Sequence, residues 1–204
     1  MRDSRNKDRK ENKAGVAPQS INLDQTENTK LVERATGGDS EAFGKLYSIY
    51  LDRIYRYVFY QVKDKPTAED ITEDVFIKAW KAINSCNGRE QTFLPWLFRI
   101  AHNLVIDVFR RKRKELLVDM ETVAEVGDHS LEVGKRLEQQ QLLRVIDSLP
   151  QNQRQVIILK FIEGLDNREI GQVIRKNQGA IRILQMRALA TLRKRLKEKR
   201  IDED

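Results

Sequence analysis

The side chains best suited to chemistry in this sequence are long basic and amide groups on a predicted helix near its C-terminal end. Arg182, Gln185 and Arg187 point away from the face that Ile181 and Leu184 form on the same predicted helix. Guanidinium and amide groups form hydrogen bonds with phosphates and with base edges. The chemistry that this stretch favours is therefore recognition of a nucleic acid.

Two short helices about a tight turn must position those side chains. The sequence Asp-Asn-Arg-Glu at residues 166–169 fits a capping box, in which a carboxylate bonds back to the cap of its own helix. A brief helix follows, with Ile170 and Val173 on one face, and a second helix begins near Gln178 after a polar turn. This arrangement over residues 166–195 predicts a helix-turn-helix, whose second helix enters the major groove.

No combination of residues predicts an active site. No glycine-rich phosphate loop follows a strand, and no Ser-His-Asp or Cys-His arrangement is suggested by position. His102 lies near an apolar helix face and is better explained as a structural residue or a groove contact than as a base. Cys86 is a lone cysteine in a polar loop, which is weak evidence of reactivity. We therefore expect no catalytic residue and a protein that is not an enzyme.

Composition limits the partners. The 204-residue chain has a formal net charge of +7 and a pI near 9.5, which favours an anionic partner. Nucleic acid, an anionic membrane surface and an acidic protein all remain open at this level. One cysteine and two isolated histidines are too few for a disulfide or a metal site, so we expect no metal and no cofactor. Without a signal peptide or a membrane span, the chain is expected to be soluble and cytoplasmic, with no membrane insertion.

The first part of the chain divides into a polar arm and a helical domain. Residues 1–30 have almost no large apolar side chains, so burial cannot offset their ordering entropy and we expect a disordered arm. Residues 31–114 show helical spacing. In this domain, Asp39 or Ser40 is expected to cap one helix and Thr67 the next.

Acidic residues crowd the start of the second of these helices. Glu69, Asp70, Glu73 and Asp74 lie in its first turns. Carboxylates there complement the positive end of the helix dipole, so a role in stability would explain them. An acidic patch on a basic protein also suits docking of another protein, and the sequence leaves both interpretations open.

A polar loop and a basic helix follow. Residues 84–92 predict a loop, and Pro95 is expected in the first turn of the next helix. That helix ends in five consecutive basic residues, 110–114, which is more than the capping of a helix end requires. The run therefore favours contact with phosphates.

An acidic segment separates this domain from a second one. Residues 115–134 contain no lysine or arginine and show poor periodicity, which predicts a flexible linker. Residues 135–200 return to helical spacing, with Pro150 and Gly164 as breaks between helices. Because no strand pattern is convincing, the sequence predicts an all-α protein of two small helical domains.

Several segments, in a fixed order, resemble conserved regions of one protein family. Residues 68–80 resemble region 2.2 of bacterial sigma factors, and residues 95–103 resemble region 2.3 running into region 2.4. Segments 149–150, 153–154 and 163–165 resemble region 4.1, and the helix-turn-helix resembles region 4.2. The chain thus resembles an extracytoplasmic-function (ECF) sigma factor of the sigma-70 family.

This resemblance implies a function. Such a factor binds core RNA polymerase through the β′ clamp helices and the β flap, recognises −35 and −10 promoter elements, and promotes strand opening for transcription initiation. The implied partners are core polymerase, promoter DNA and an anti-sigma factor. Residues 84–92 would form the pocket for a base flipped out of the −10 element.

The resemblance also implies three sets of contact residues. Those for core polymerase are Asp70, Glu73, Asp74, Phe76 and Trp80. Those for the −10 element are Asn84, Asn87, Arg89, Trp96, Arg99, Asn103, Asp107, Arg110, Arg111 and Lys114. Those for the −35 element are Arg175, Lys176, Gln178, Arg182, Gln185 and Arg187, the first two at the turn against the DNA backbone.

The chain departs from the family pattern in its recognition helix, and two other interpretations of the sequence stay open. Ala180 and Ile183 replace polar residues of many family members, so a −35 preference cannot be transferred to this chain. An ordinary two-domain helix-turn-helix transcriptional regulator would explain residues 166–195 but neither 68–80 nor 95–103. A protein-binding module whose basic helices bind an acidic partner or RNA is the third interpretation.

Overall fold

The computed structural model describes residues 25–86, 90–118 and 144–201. These residues are helical with short turns and contain no strand, which confirms the all-α prediction. Most of the predicted N-terminal arm and the predicted linker from residue 119 onwards lie outside the described residues. The same is true of the candidate residues Asn87 and Arg89 and of the side chain of Lys114.

Two helices open the described chain, α1 (Gln25–Thr36) and α2 (Ser40–Val62). Asp39 is the cap of α2, because its carboxylate accepts a hydrogen bond from the backbone N–H of Ala42 at 3.0 Å. That bond, with a further one from Arg34, lowers the pKa of Asp39. Of the two residues expected from the sequence to cap this helix, Asp39 and Ser40, the cap is therefore Asp39.

Helix α3 (Lys65–Lys81) begins earlier than predicted. Its cap is Asp64, whose carboxylate accepts a hydrogen bond from the backbone N–H of Thr67 at 2.9 Å, so the prediction of Thr67 as the cap is wrong. Pro66 does not delay the helix, because the N–H that proline lacks is unpaired in a first turn anyway. A short 3-10 turn, Ile83–Ser85, follows.

Helix α4 (Glu90–Val118) starts within the stretch predicted as a loop and continues past the basic run. Pro95 therefore lies inside the helix, and its predicted place in the first turn is wrong. Because proline has no N–H, α4 has one backbone hydrogen bond fewer at this point. One long element thus carries both core side chains and the exposed basic run.

We call residues 25–86 and 90–118 the first half of the described chain and residues 144–201 the second half. In the second half, residues 144–147 are helical and precede α5 (Gln151–Ile157). Helix α5 continues in π-helical form as Ile158–Ile162. Gly164 has a φ of 76°, a left-handed conformation that suits the helix end predicted for it.

The predicted helix-turn-helix is present as α6 (Asn167–Ile174) and α7 (Gln178–Ile201). The Asp166 carboxylate accepts a hydrogen bond from the backbone N–H of Glu169 at 2.8 Å. The Glu169 carboxylate accepts one from the backbone N–H of Asp166 at 2.6 Å, which confirms the capping box.

One continuous apolar core joins both halves. Between α2 and α4, the rings of Tyr57 and Phe98 meet edge-on with centroids 5.3 Å apart. In the second half, Ile170 and Ile181 are fully buried. Helix α4 also packs against α6, and α2 contacts the π-helical segment, so the two predicted domains lie against each other.

Candidate nucleic-acid and protein interfaces

The acidic face of α3 presents its carboxylates to solvent. Asp70, Glu73 and Asp74 are exposed, and none of them forms an ion pair with another described residue. Since Asp64 caps the helix and the first turn contains no acidic residue, these carboxylates lie beyond the reach of the helix end. Helix stability therefore explains them poorly, and docking of a partner explains them better.

A groove with an apolar wall lies on the same helix. Its volume is about 340 Å³, and it is lined by Ser40, Phe43, Phe76, Ile77, Trp80 and Lys81. Trp80 is 37% exposed, whereas Phe76 is 4% exposed and packs edge-on against Tyr47. Phe76 thus supports the groove from the core side. Ile77 is 51% exposed and was not predicted, although it follows Glu73 by one helical turn.

A second cleft lies between the end of α3 and one face of α4. Its volume is about 210 Å³, and it is lined by Lys78, Ala82, Trp96, Ile100, Asn103, Leu104 and Asp107. Three predicted contact residues, Trp96, Asn103 and Asp107, therefore meet in one place. Two others, Asn84 and Arg99, are exposed but do not line the cleft.

Exposed cations continue along α4 beyond the cleft. Arg110, Arg111, Lys112 and Arg113 are all exposed, and the Arg110 guanidinium lies 3.4 Å from the Asp107 carboxylate. An aromatic side chain in a cleft offers a stacking surface to a base, while nearby cations neutralise phosphates. This combination suits a single-stranded nucleic acid.

Two side chains considered for chemistry lie inside the protein. His102 is 8% exposed, and its Nδ1 lies 3.4 Å from the Tyr57 hydroxyl. Burial, with a smaller contribution from the charge of Arg175, lowers the pKa of His102 and so disfavours the charged form of the ring. Cys86 is also buried. Both residues belong to the core rather than to a reactive site.

The turn of the helix-turn-helix is closed by a close backbone approach. A Cβ at Gly171 would lie 2.6 Å from the carbonyl oxygen of Lys176. Asn177 caps α7 by accepting a hydrogen bond from the backbone N–H of Ala180 at 2.8 Å. Arg175 and Lys176, the predicted backbone contacts, are both exposed at this turn.

Helix α7 exposes basic and apolar side chains together. The exposed members of its predicted contact set are Gln178, Arg182 and Arg187. Gln185 is half-buried instead. Met186 is 65% exposed and Ile183 is 49% exposed, and neither was a predicted contact. Their spacing from the buried Ile181 was the sequence signal that could have identified them.

An ionic cluster around one buried carboxylate joins the two halves. The Glu163 carboxylate is fully buried and accepts hydrogen bonds from Nε of Arg56 at 2.8 Å and Nε of Arg53 at 3.2 Å. The bond to Glu163 raises the pKa of Arg56. A further ion pair, between Lys63 and Asp147, also joins the halves. Neither the helix end at Glu163 nor the resemblance of residues 163–165 to region 4.1 predicts this cluster.

Metal and membrane sites are absent from the same described ranges. There, no group of three or more His, Cys, Asp or Glu side chains is arranged to hold a metal ion. No helix among those residues has both the length and the apolar character needed to cross a membrane.

Family models match the segments that build these surfaces. Residues 46–115 match the model described as Sigma-70 region 2, which includes α3 and the exposed cations of α4. Residues 139–192 match the model described as Sigma-70, region 4, which includes α6 and the part of α7 up to Leu192.

Relatives are similar over most of the chain. The ECF RNA polymerase sigma factor SigW of Bacillus subtilis is 31% identical over 186 residues, which cover 83% of this chain and 96% of SigW. BldN of Streptomyces coelicolor, also an ECF RNA polymerase sigma factor, is 38% identical over 169 residues, which cover 80% of this chain and 63% of BldN. A structure of the sigma factor RpoE in complex with the anti-sigma factor NepR from Bartonella quintana has a TM-score of 0.66 at 24% identity. That match covers 76% of this chain and 96% of the other, and it shows the same fold.

Proposed function

Because the chain belongs to the ECF RNA polymerase sigma factors of the sigma-70 family, we propose that it binds core RNA polymerase, recognises −35 and −10 promoter elements and promotes strand opening for transcription initiation. The observation that carries this proposal is the cleft where Trp96, Asn103 and Asp107 meet beside exposed cations. Such a cleft suits an unstacked base and its phosphates.

The cleft takes a base flipped from the −10 element. Trp96 supplies a stacking surface, and the Asn103 amide offers both a donor and an acceptor to the edge of a base. Arg110 and Arg111, which are exposed further along α4, neutralise the phosphates of the same strand. The pocket in this proposal lies between α3 and α4, and none of its described lining residues belongs to residues 84–92, the loop that the resemblance implied.

Replacing Trp96 by alanine should slow promoter opening more than it weakens binding of core polymerase. Stacking of one base on an aromatic ring contributes about 1–3 kcal/mol, so we expect the rate of promoter opening to fall roughly 5- to 150-fold. Opening is measured by the fluorescence of 2-aminopurine in the −10 element.

Two variants control this measurement. Trp96→Phe keeps an aromatic face and should retain most of the opening rate. Phe161→Ala removes an aromatic ring that is 60% exposed in the second half and should change nothing. A Trp96→Ala chain that opens promoters at the wild-type rate would contradict the assignment.

The acidic face of α3 and the groove beside it form the surface proposed for core polymerase. Exposed carboxylates of Asp70, Glu73 and Asp74 attract a basic partner, and Trp80 with Ile77 offers an apolar anchor. Interfaces with an aromatic anchor inside a charged rim are typical of tight and specific docking. Phe76 supports this surface without being exposed on it.

Replacing Asp70 by arginine should weaken the binding of core polymerase by about a hundredfold, because a like charge placed in an interface costs several kcal/mol. The affinity is measured by titrating labelled chain with core enzyme. Asp52→Arg makes the same charge change at an exposed residue of α2 that lies about 18 Å along the helix from the groove residue Ser40, and it should leave the affinity unchanged. Unfolding of the Asp70→Arg chain, monitored by circular dichroism, would support the helix-stability interpretation instead.

The proposal extends to the remaining partners and to the compartment. An anti-sigma factor is expected to bind this chain, as NepR binds the similarly folded RpoE. The chain acts in the cytoplasm with RNA polymerase, which performs the catalysis, so the chain is not itself an enzyme. An ordinary two-domain helix-turn-helix regulator is not favoured, since it leaves the match to region 2 unexplained.

A further inference from the structure

The outward face of α7 is apolar along its centre. We call this feature the apolar ridge, and it consists of Gly179, Ile183, Met186 and Ala190. All four residues lie opposite the buried side of the helix, which is formed by Ile181, Ala188 and Leu192. Met186 is 65% and Ile183 49% exposed, so two large apolar side chains face water at the middle of a charged helix. This placement requires an explanation, because neither side chain supports the core.

Basic side chains flank the apolar ridge on both sides. At 3.6 residues per turn, Arg182 and Arg193 fall on one flank, and Arg187 and Lys194 fall on the other. All four are exposed. Two parallel rows of cations with an apolar strip between them complement a polyanion that has two charged edges and a less charged floor.

The major groove of DNA has this layout. Its two phosphate backbones form the edges, and its floor presents the C5-methyl group of every thymine to an apolar side chain. A helix that inserts with the apolar ridge foremost brings its two cationic rows towards the two backbones. A protein partner with an apolar groove would have to place acidic groups on both sides of that groove, so the charge pattern favours DNA.

We propose that Ile183 and Met186 recognise the methyl groups of thymines in the −35 element. This inference rests on the proposed function, in which α7 lies in the major groove of that element. Three residues along a helix span about 4.5 Å, close to the 3.4 Å between base pairs, so the two side chains address neighbouring pairs. Gln185 is half-buried and lies away from the apolar ridge. In this proposal, the residues of the apolar ridge, and not Gln185, contact the bases at the centre of the groove.

The test uses holoenzyme made from core polymerase and the full chain, on a promoter selected by sequencing the transcripts that wild-type holoenzyme makes from a random library. Each thymine of the −35 element is replaced in turn by deoxyuridine, which removes only the methyl group. Initiation should fall about fourfold at one or two neighbouring base pairs, the size expected for one lost CH₂-sized contact. Thymines outside both promoter elements are replaced as a control.

Variants of the apolar ridge connect the effect to these residues. The double substitution Ile183→Ser with Met186→Ser should abolish the difference between thymine and deoxyuridine templates. Because both side chains are exposed, the fold and the affinity for core polymerase should be kept. Leu196→Ser changes another exposed apolar residue of the same helix and should preserve the difference.

Three outcomes overturn the inference but not the proposed function. The wild-type holoenzyme could initiate equally well whichever −35 methyl group is removed, or the −35 element could contain no thymine on either strand. The double-serine variant could also keep the difference between thymine and deoxyuridine templates. Loss of core polymerase affinity in the double-serine variant identifies the apolar ridge as a protein-docking surface and also overturns it. A chain that directs initiation from no promoter overturns the proposed function itself.

Discussion

A chain in which Arg53 and Arg56 are both replaced by glutamine should lose the contact between its two halves. The Glu163 carboxylate is fully buried, and its ion-pair partners in the described chain are these two guanidiniums. Removing both leaves an unpaired charge in the interior, which costs about 3–5 kcal/mol. Separation of the halves returns the carboxylate to water, and small-angle X-ray scattering should record a larger radius of gyration.

Two matched variants distinguish this mechanism from a general loss of packing. Glu163→Gln should open the contact less, because Arg53 and Arg56 are already 31% and 40% exposed and regain water by small movements. Adding Glu163→Leu to the double arginine variant should restore compactness, since no buried charge then remains. A double arginine variant as compact as the wild type would contradict the role assigned to the cluster.

The same contact bears on promoter binding under the proposed function. The −35 and −10 elements lie roughly 25 base pairs apart, or about 85 Å at 3.4 Å per pair. Helix α4 packs directly against α6, and packed helix axes lie only about 8–10 Å apart. The halves must therefore separate before the chain can hold both elements at once. The double arginine variant should accordingly still support initiation once core polymerase is bound.

Replacing Gly171 by alanine should abolish the dependence of initiation on the −35 element. The new Cβ would lie 2.6 Å from the carbonyl oxygen of Lys176, and a backbone atom cannot rotate away as a side chain does. Relieving such a contact costs about 1–3 kcal/mol and shifts the turn that aims α7. Transcription from matched promoters with and without the −35 element measures the loss.

Helix α2 offers a matched control for that substitution. A Cβ added to the helical residue Gly44 would have nothing within 4 Å, so Gly44→Ala meets open space. That variant should be more stable by about 0.5–1 kcal/mol, because alanine loses less backbone freedom than glycine in a helix. Gly171→Ala should keep wild-type affinity for core polymerase. A Gly171→Ala chain with full −35 dependence would contradict the role assigned to the turn.

Local chemistry made much of the fold predictable. The capping box at Asp166 and Glu169 is a short-range pattern, and the structure contains both of its hydrogen bonds. Both wrong helix starts involve proline, which often marks a helix boundary in a sequence but is accommodated within α3 and α4. Asp64 caps α3 ahead of Pro66, and α4 begins at Glu90 and passes through Pro95.

Contacts between distant parts of the chain were beyond such patterns. The hydrogen bond from Arg53 to Glu163 joins residues 110 positions apart, and no local signal links them. Exposure is similarly a property of the whole fold. Phe76 and Trp80 lie one turn apart on α3 and both line the surface groove, yet Phe76 is 4% exposed and Trp80 is 37% exposed. Met186 is 65% exposed on α7, and its apolar side chain resembles a core residue in the sequence, so only the fold shows that it faces water.

The most direct test of the central claim is transcription by core RNA polymerase with and without the purified full chain. We expect the chain to bind core polymerase, and transcripts then to start at a fixed distance downstream of a shared −35 and −10 pair. Mapping the 5′ ends of transcripts from a random promoter library gives both the start site and the two elements. A chain that leaves core polymerase unbound, and instead binds a palindromic operator by itself as a dimer, would contradict the proposed function.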